Sequence, residues 1–146
     1  MFARLQDVTA LLGRLAVATV FLAHGLEKWD AGVSETAAGF ESMGIPLPTV
    51  AAAFTILVEV VGSIAFIIGL ALPLVGLGYA VVGLGATLGV HLEAGLTGQG
   101  GYELVLVLAG AGLALGFNGG RISLDHLLFW SKRKRERVGE SEVQPA

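Results

Sequence analysis

Residues 59–93 read EVVGSIAFIIGLALPLVGLGYAVVGLGATLGVHLE, and between the glutamates that bound this stretch there is no charged side chain. A helix that crosses a bilayer needs only about 20 predominantly apolar residues, so the stretch is long enough for more than one. Pro73, with Gly69 shortly before it, divides the run, because proline is tolerated in a first helical turn and breaks a helix interior. The reading is two spanning helices, at about residues 48–70 and 73–92, joined by a very tight turn. Working outward, a further apolar run covers about residues 8–26 and another about residues 102–117. Four spans of roughly 20 residues use about 80 positions. The 146-residue chain then has room for short loops and a tail, and none for a second domain.

Composition points the same way. Only 14% of the residues are charged and 54% are hydrophobic, whereas a soluble domain of this size carries roughly 25% charged residues to cover its surface. The absence of cysteine excludes a disulfide framework, a CxxC redox pair, a thiolate zinc site and a cysteine-ligated iron–sulfur cluster. Redox chemistry therefore has to come from a cofactor or a partner. A net charge of −3 is too small to imply nucleic acid or an acidic substrate. The first apolar run could be taken for a secretory signal with Arg4 at its head, but Arg14 carries charge deep into it and no A-x-A site precedes a polar start.

Charge distribution sets orientation. Lys132, Arg133, Lys134, Arg135 and Arg137 crowd the tail, whereas the 27–47 connection carries Glu27, Asp30, Glu35 and Glu41 against a single Lys28. By the positive-inside rule the tail is cytoplasmic, and four spans bring the N-terminus to the same side. The 27–47 loop and the turn after His91 then face outward. The juxtamembrane position of the basic run fits topology and anionic lipid better than nucleic acid. Residues 121–132, RISLDHLLFWSK, place Leu124, Leu127 and Leu128 at helical spacing beside Trp130, as in an interfacial helix with an aromatic anchor. The expected fold is an all-α, integral membrane four-helix bundle with both termini cytoplasmic and a short interfacial helix after the fourth span. It forms one domain over residues 1–130, followed by a basic, then polar, disordered tail over 131–146.

Twenty-two glycines need a reason. Gly85-x-x-x-Gly89 in the third span and Gly112-x-x-x-Gly116 in the fourth remove side chains at one-turn spacing, which lets helix backbones approach in lipid. Such faces also suit a homo-oligomer. Neither run completes a dinucleotide-binding GxGxxG, and Gly98-Gln99-Gly100-Gly101 lacks the residues of a phosphate loop and reads as a flexible outer turn.

A charge within a span costs about 2.5–3.5 kcal/mol on insertion scales, so each one needs a partner, water or a function. At 100° per residue His24, Lys28 and Phe21 lie about 280°, 320° and 340° round the first helix from Arg14, a single edge shared with Gly25 that should face the bundle interior. Glu59 falls near the middle of the second span. It either pairs with Arg14 to fix register or is a protonated, ligand-binding or proton-handling carboxyl. His91, Glu93 and Glu103 lie at the same outer end as His24, Glu27 and Lys28. Converging imidazoles and carboxylates can bind metal or haem, carry protons or hydrogen-bond a quinone head group. No HxxxH or ExxH pair is present, so no metal is assigned and a polar ligand pocket is favoured. The ligand-binding or proton-handling candidates are Arg14, His24, Lys28, Glu59, His91 and Glu103. Arg121, Ser123 and Asp125 read as a cap on the interfacial helix.

These residues together resemble the DoxX family of small membrane proteins. The likeness runs from Arg14 to Asp125 through Phe21-x-x-His24-Gly25-x-x-Lys28, Gly44-Ile45-Pro46-x-Pro48, Glu59, Gly101-Tyr102-Glu103-Leu104 and Gly120-Arg121-x-Ser123-x-Asp125. The resemblance implies a four-helix bundle in the bacterial cytoplasmic membrane and an association with quinone-linked redox or oxidative-stress assemblies. Three functions follow as expectations. One is a membrane subunit of a redox assembly contacting quinone through the outer polar pocket, with no intrinsic cofactor and, if catalytic, quinone-linked oxidoreductase chemistry. The others are a non-enzymatic assembly subunit and a small-solute permease using Glu59. The expected partners are the lipid bilayer and other membrane or redox subunits, with no nucleic acid.

Overall fold

A computed structural model describes residues 2–130. The basic tail at 131–146, with its expected disorder and topological role, lies outside the described residues. Helix α1 spans Phe2–Ala31, α2 Val33–Ser42, α3 Pro48–Ile68, α4 Leu72–Ala94 and α5 Glu103–Phe117, and a last helical turn covers His126–Trp130. The protein is all-helical among the described residues.

Helix α1 runs well past the apolar segment at both ends, because nothing breaks it before Gly32, whose φ of 85° ends the helix. Pro48 and Pro73 lie in the first turns of α3 and α4, where a missing N–H costs nothing. Helices α1, α3 and α4 are long and apolar enough to cross a membrane; α5 is as apolar but has 15 residues. The 27–47 segment, read as a loop, contains α2. Its ten residues are too few to announce a period, and they turn Ala37 inward between glycines at positive φ, Gly32 and Gly44.

Helices α1, α3, α4 and α5 form a ring. Its core is Val17, Ala18, Phe21, Phe66, Leu72, Val75, Tyr79 and Val82, while Leu74, Val61, Leu88 and Val107 face outward with more than half of their surface uncovered. Large apolar side chains on the outside of a helical ring are the pattern of a bundle solvated by lipid.

Glycine brings α4 and α5 together, though at other positions than expected. A Cβ built at Gly76 would stand 2.9 Å from the Gly112 carbonyl oxygen, and one at Gly83 would stand 2.6 Å from the Ala109 Cβ. Gly112 and Gly116 thus pack as read, but their partners are Gly76 and Tyr79. Gly85 meets nothing within 4 Å and Gly89 meets only Ile45, so the Gly85-x-x-x-Gly89 pair does not join the two helices. A repeat of spacing four identifies a strip of helix without saying which neighbour faces it.

Asp125 closes the end of the bundle where α3 turns into α4. Its two carboxylate oxygens accept the Ala71 and Leu72 N–H groups, each at 2.8 Å, and its own N–H donates to the Gly69 carbonyl. The carboxylate thus caps α4 and not the following turn, whose His126 N–H is instead accepted by Ser123 Oγ at 3.2 Å. The Arg121 N–H donates to Asp7 Oδ1 at the start of α1. Asp125→Ala leaves two helix-terminal N–H groups unmet and should lower unfolding free energy by roughly 1–3 kcal/mol, with Asp125→Asn milder. Thermal unfolding in detergent measures this, and an unchanged midpoint for the alanine variant would contradict the cap.

Candidate functional site

Glu59 sits halfway along α3, 5% exposed. Its register places it opposite Gly25 of α1, where a Cβ would stand 2.7 Å from the Glu59 Cβ and 2.9 Å from the Val60 Cγ2. Only a glycine at position 25 lets the two helices meet this closely. Lys28, three residues on, bends back into the gap: its Nζ donates to Glu59 Oε2 at 2.8 Å and to the His24 carbonyl at 3.2 Å. Glu59 is therefore paired with Lys28, not with Arg14. The aligned edge of α1 faces inward at Arg14, Phe21 and Gly25 but not at His24, which is exposed; the edge is also long, and residues 14 and 28 stand about 21 Å apart along the axis.

Arg14 lies at the other end of that edge and is fully buried. One Nη2–H donates to the Ile122 carbonyl, and the Asp125 carboxylate supplies the opposing charge. Nε and Nη1 have no hydrogen-bond partner among the described residues. Gly69, at φ 79°, packs against both Arg14 and Ser123. Arg14, Ser123 and Asp125 thus make a closed polar layer under the α3–α4 turn, separate from Glu59.

Above Glu59 opens a cavity of about 410 Å³. Phe21, His24 and Lys28 of α1, Thr55 and Glu59 of α3, and Val82, Ala86 and His91 of α4 line it, with Leu104, Val105 and Leu108 of α5. Phe40 of α2 and Met43 and Ile45 just after it cover the end. The walls are largely apolar, and the polar side chains are a charge pair, two imidazoles and the Thr55 hydroxyl. His91 Nδ1 is within 2.8 Å of the Gly100 carbonyl, a contact that orients the ring from the glycine-rich turn. His24 Nδ1 lies 3.7 Å from Glu27 Oε2, with both side chains more than half exposed. Of the six residues expected at this end, His24, Lys28 and His91 line the cavity, whereas Glu27, Glu93 and Glu103 do not. Among the described residues no group of three or more His, Asp or Glu side chains is placed to hold a metal ion.

Below the cavity, Phe21 stacks flat on Tyr79, with ring centroids 3.8 Å apart, and the Tyr79 hydroxyl is 2.7 Å from Ser63 Oγ. Phe66 meets the same tyrosine edge-on at 5.0 Å. Sequence reading passed over Ser63 and Tyr79. Thr55, Glu59 and Ser63 recur every four residues on α3 and are all buried, which marks one polar stripe in an otherwise apolar helix.

The sequence model of the DoxX family matches residues 9–92, more than half of the chain. The chain belongs to the DoxX family. A relative in Bacillus subtilis (strain 168), named "Putative oxidoreductase CatD", is 32% identical over 128 residues, covering 87% of this chain and 92% of the relative. No solved structure matches. The DoxX match takes in α1 to α4, and with them Lys28, Glu59 and most of the cavity wall. In this DoxX protein Arg14 and Asp125 share the closed layer, and His24, Lys28 and Glu59 line the cavity.

Removing one member of the Lys28–Glu59 pair leaves the other charged in an apolar surround, a change that costs up to about 3–5 kcal/mol when fully buried. Lys28→Met and Glu59→Gln should each destabilise the protein in detergent, while the double variant loses less than the sum. A coupling energy of roughly 0.5–3 kcal/mol is expected. Strict additivity in thermal or chemical unfolding would show that the two groups do not interact.

Proposed function

We propose that this DoxX protein is a membrane subunit of a redox assembly and that its cavity holds a quinone head group. The observation that carries this reading is the Lys28–Glu59 pair opening into an apolar cavity of about 410 Å³, within the range of small-ligand pockets. A quinone ring is flat and apolar with two carbonyl acceptors. Lys28 Nζ and the His24 imidazole are donors at the cavity wall that suit those oxygens, and His91, whose Nδ1–H is taken by the Gly100 carbonyl, donates from Nε2 only when protonated. Reduction of a quinone adds two electrons and two protons. Glu59 and the two imidazoles are groups able to pass protons to the oxygens. A chain without cysteine has no thiol couple of its own, and in this reading a partner subunit supplies the electrons. The oxidoreductase name of the Bacillus relative supports this reading.

The topology follows from the same proposal. The α2 end of the bundle faces outward from a bacterial cytoplasmic membrane, four spans cross it, and the basic tail lies inside. An ion-paired Glu59 favours a fixed binding site over a permease, in which the carboxyl would have to be released in each cycle. Docking onto a partner, or onto a second copy, would use the outward glycines and apolar faces.

Protein purified with its native lipids should retain quinone on organic extraction, and delipidated protein should bind an added short-chain quinone. Glu59→Gln and Lys28→Met should weaken that binding about tenfold or more, equivalent to ~1.4 kcal/mol. His24→Ala at the exposed rim should have a smaller effect. Native protein that neither retains quinone nor binds it when added would overturn the proposal.

A further inference from the structure

The cavity has a side opening as well as an end, and its frame lies on one strip of α4. Gly78, Gly85 and Gly89 fall within an arc of about 40° round the helix. At the lower position α3 is in contact: a Cβ at Gly78 would stand 3.1 Å from Val58 Cγ1, and one turn further down a Cβ at Gly62 would stand 3.4 Å from Val75 Cγ1. At the upper position Ile45, from the segment between α2 and α3, is 3.3 Å from a Cβ at Gly89. Between them a Cβ at Gly85 would meet nothing within 4 Å, although the two-turn register that sets Gly78 against Val58 sets Gly85 against Ala51.

Ala51 and Gly85, together with Phe54 and Val81, line the cavity at this height. Phe54 is 41% and Val81 57% exposed, so the same side chains face both the cavity and the outside of the ring. Helices α3 and α4 are both candidate spans, and the side chains flanking the gap on its outer side, Phe54 and Val81, are apolar, as contact with hydrocarbon requires. The gap from Gly78 to Gly89 is about 16 Å tall. Phe54 is about 8 Å and Ala51 about 12 Å along the axis from Glu59, so the opening stands one to two turns above the charge pair, on its α2 side.

We infer that this gap is a lateral window through which the hydrocarbon chain of a membrane-dissolved amphiphile leaves the cavity, its polar head resting at Lys28 and Glu59. The inference rests on the proposed quinone site and adds that the ligand is a tailed one, reached from the bilayer. Gly85 is then a specificity-determining residue: it keeps the window open for the tail and touches neither the head group nor a neighbouring helix. Val81 and Phe54 form its apolar jambs, and neither carries a polar atom that would favour water in the gap.

The test compares two probes that differ only in their tail, a dimethoxy-methyl-benzoquinone with a ten-carbon chain and the same ring without it, titrated into wild-type protein and Gly85→Trp in detergent. Wild-type protein should bind the tailed probe at least about tenfold more tightly than the ring alone. Gly85→Trp should lose that preference while its affinity for the bare ring stays within about twofold. Gly85 has open space beside it, so the variant is expected to fold, and thermal unfolding checks this; Gly85→Leu serves for the same comparison should the tryptophan variant not fold. A wild-type protein that binds both probes equally, or a window variant that binds both as wild type does or weakens both alike, would overturn the window and leave the quinone site standing. A wild-type protein that binds neither probe would overturn both.

Discussion

Hydrocarbon offers no hydrogen bonds, so every polar group placed inside this bundle has to be met by another helix or line a cavity. The Lys28–Glu59 pair meets this constraint at one end, and the Arg14, Ile122 and Asp125 layer meets it in part at the other, where Nη2 of Arg14 is bonded but Nε and Nη1 have no hydrogen-bond partner among the described residues. Each depends on close backbone approach. Gly25 lets α1 come against the Glu59 segment of α3, and Gly69 lets the α3–α4 turn lie on the Arg14 side chain. The charges and the glycines therefore form one device: the small residues bring the helices close enough for the polar groups to satisfy one another.

The two layers differ in what they leave open. Around Arg14 the backbone fills the available space, and the guanidinium ends on a carbonyl with a carboxylate behind it. Around Glu59 the helices part toward α2, and the charge pair forms the floor of a cavity. Between the layers the Phe21–Tyr79–Phe66 stack and the Ser63–Tyr79 contact make an apolar seal with one polar contact inside it. A bundle built in this way has a closed end around Arg14 and a cavity at the other, and the proposed ligand site is at the latter.

Much of this was legible in the chain before any coordinates. The charge-free run after Glu59, the prolines at helix starts and the inward edge of α1 all rest on local periodicity, and they appear as read, save for the exposed His24 on that edge. Pairing was not legible. Arg14 was the partner the sequence offered to Glu59, whereas Lys28 on the same edge makes the pair, because the outcome depends on how far along α3 the carboxylate stands, a matter of register between helices. The same holds for Asp125, whose acceptor role was expected but whose partners belong to a different helix. The partners of Gly112 and Gly116 and the covering role of α2 were hidden for the same reason, since neither follows from a single helix. Tyr79 and Ser63 gave no charge signal, and only the four-residue recurrence from Thr55 to Ser63 hinted at them.

The cap on α4 also constrains the order in which the chain can reach its native state. Asp125 lies 54 residues beyond the Ala71 N–H that it accepts, and the whole of α4 and α5 lies between them. During synthesis the α3–α4 hairpin therefore emerges with the start of α4 bare, and its turn is held by Ala71 at a positive φ with no carboxylate to stabilise it. Closure waits until α5 has been made and laid against α4, which carries Asp125 back to the turn and Ile122 to Arg14. The segment from Ile122 to Asp125 thus acts as a latch on the first half of the molecule, and a ribosome-bound chain that stops short of it holds the four helices of the ring, α1, α3, α4 and α5, with their shared end still unfastened.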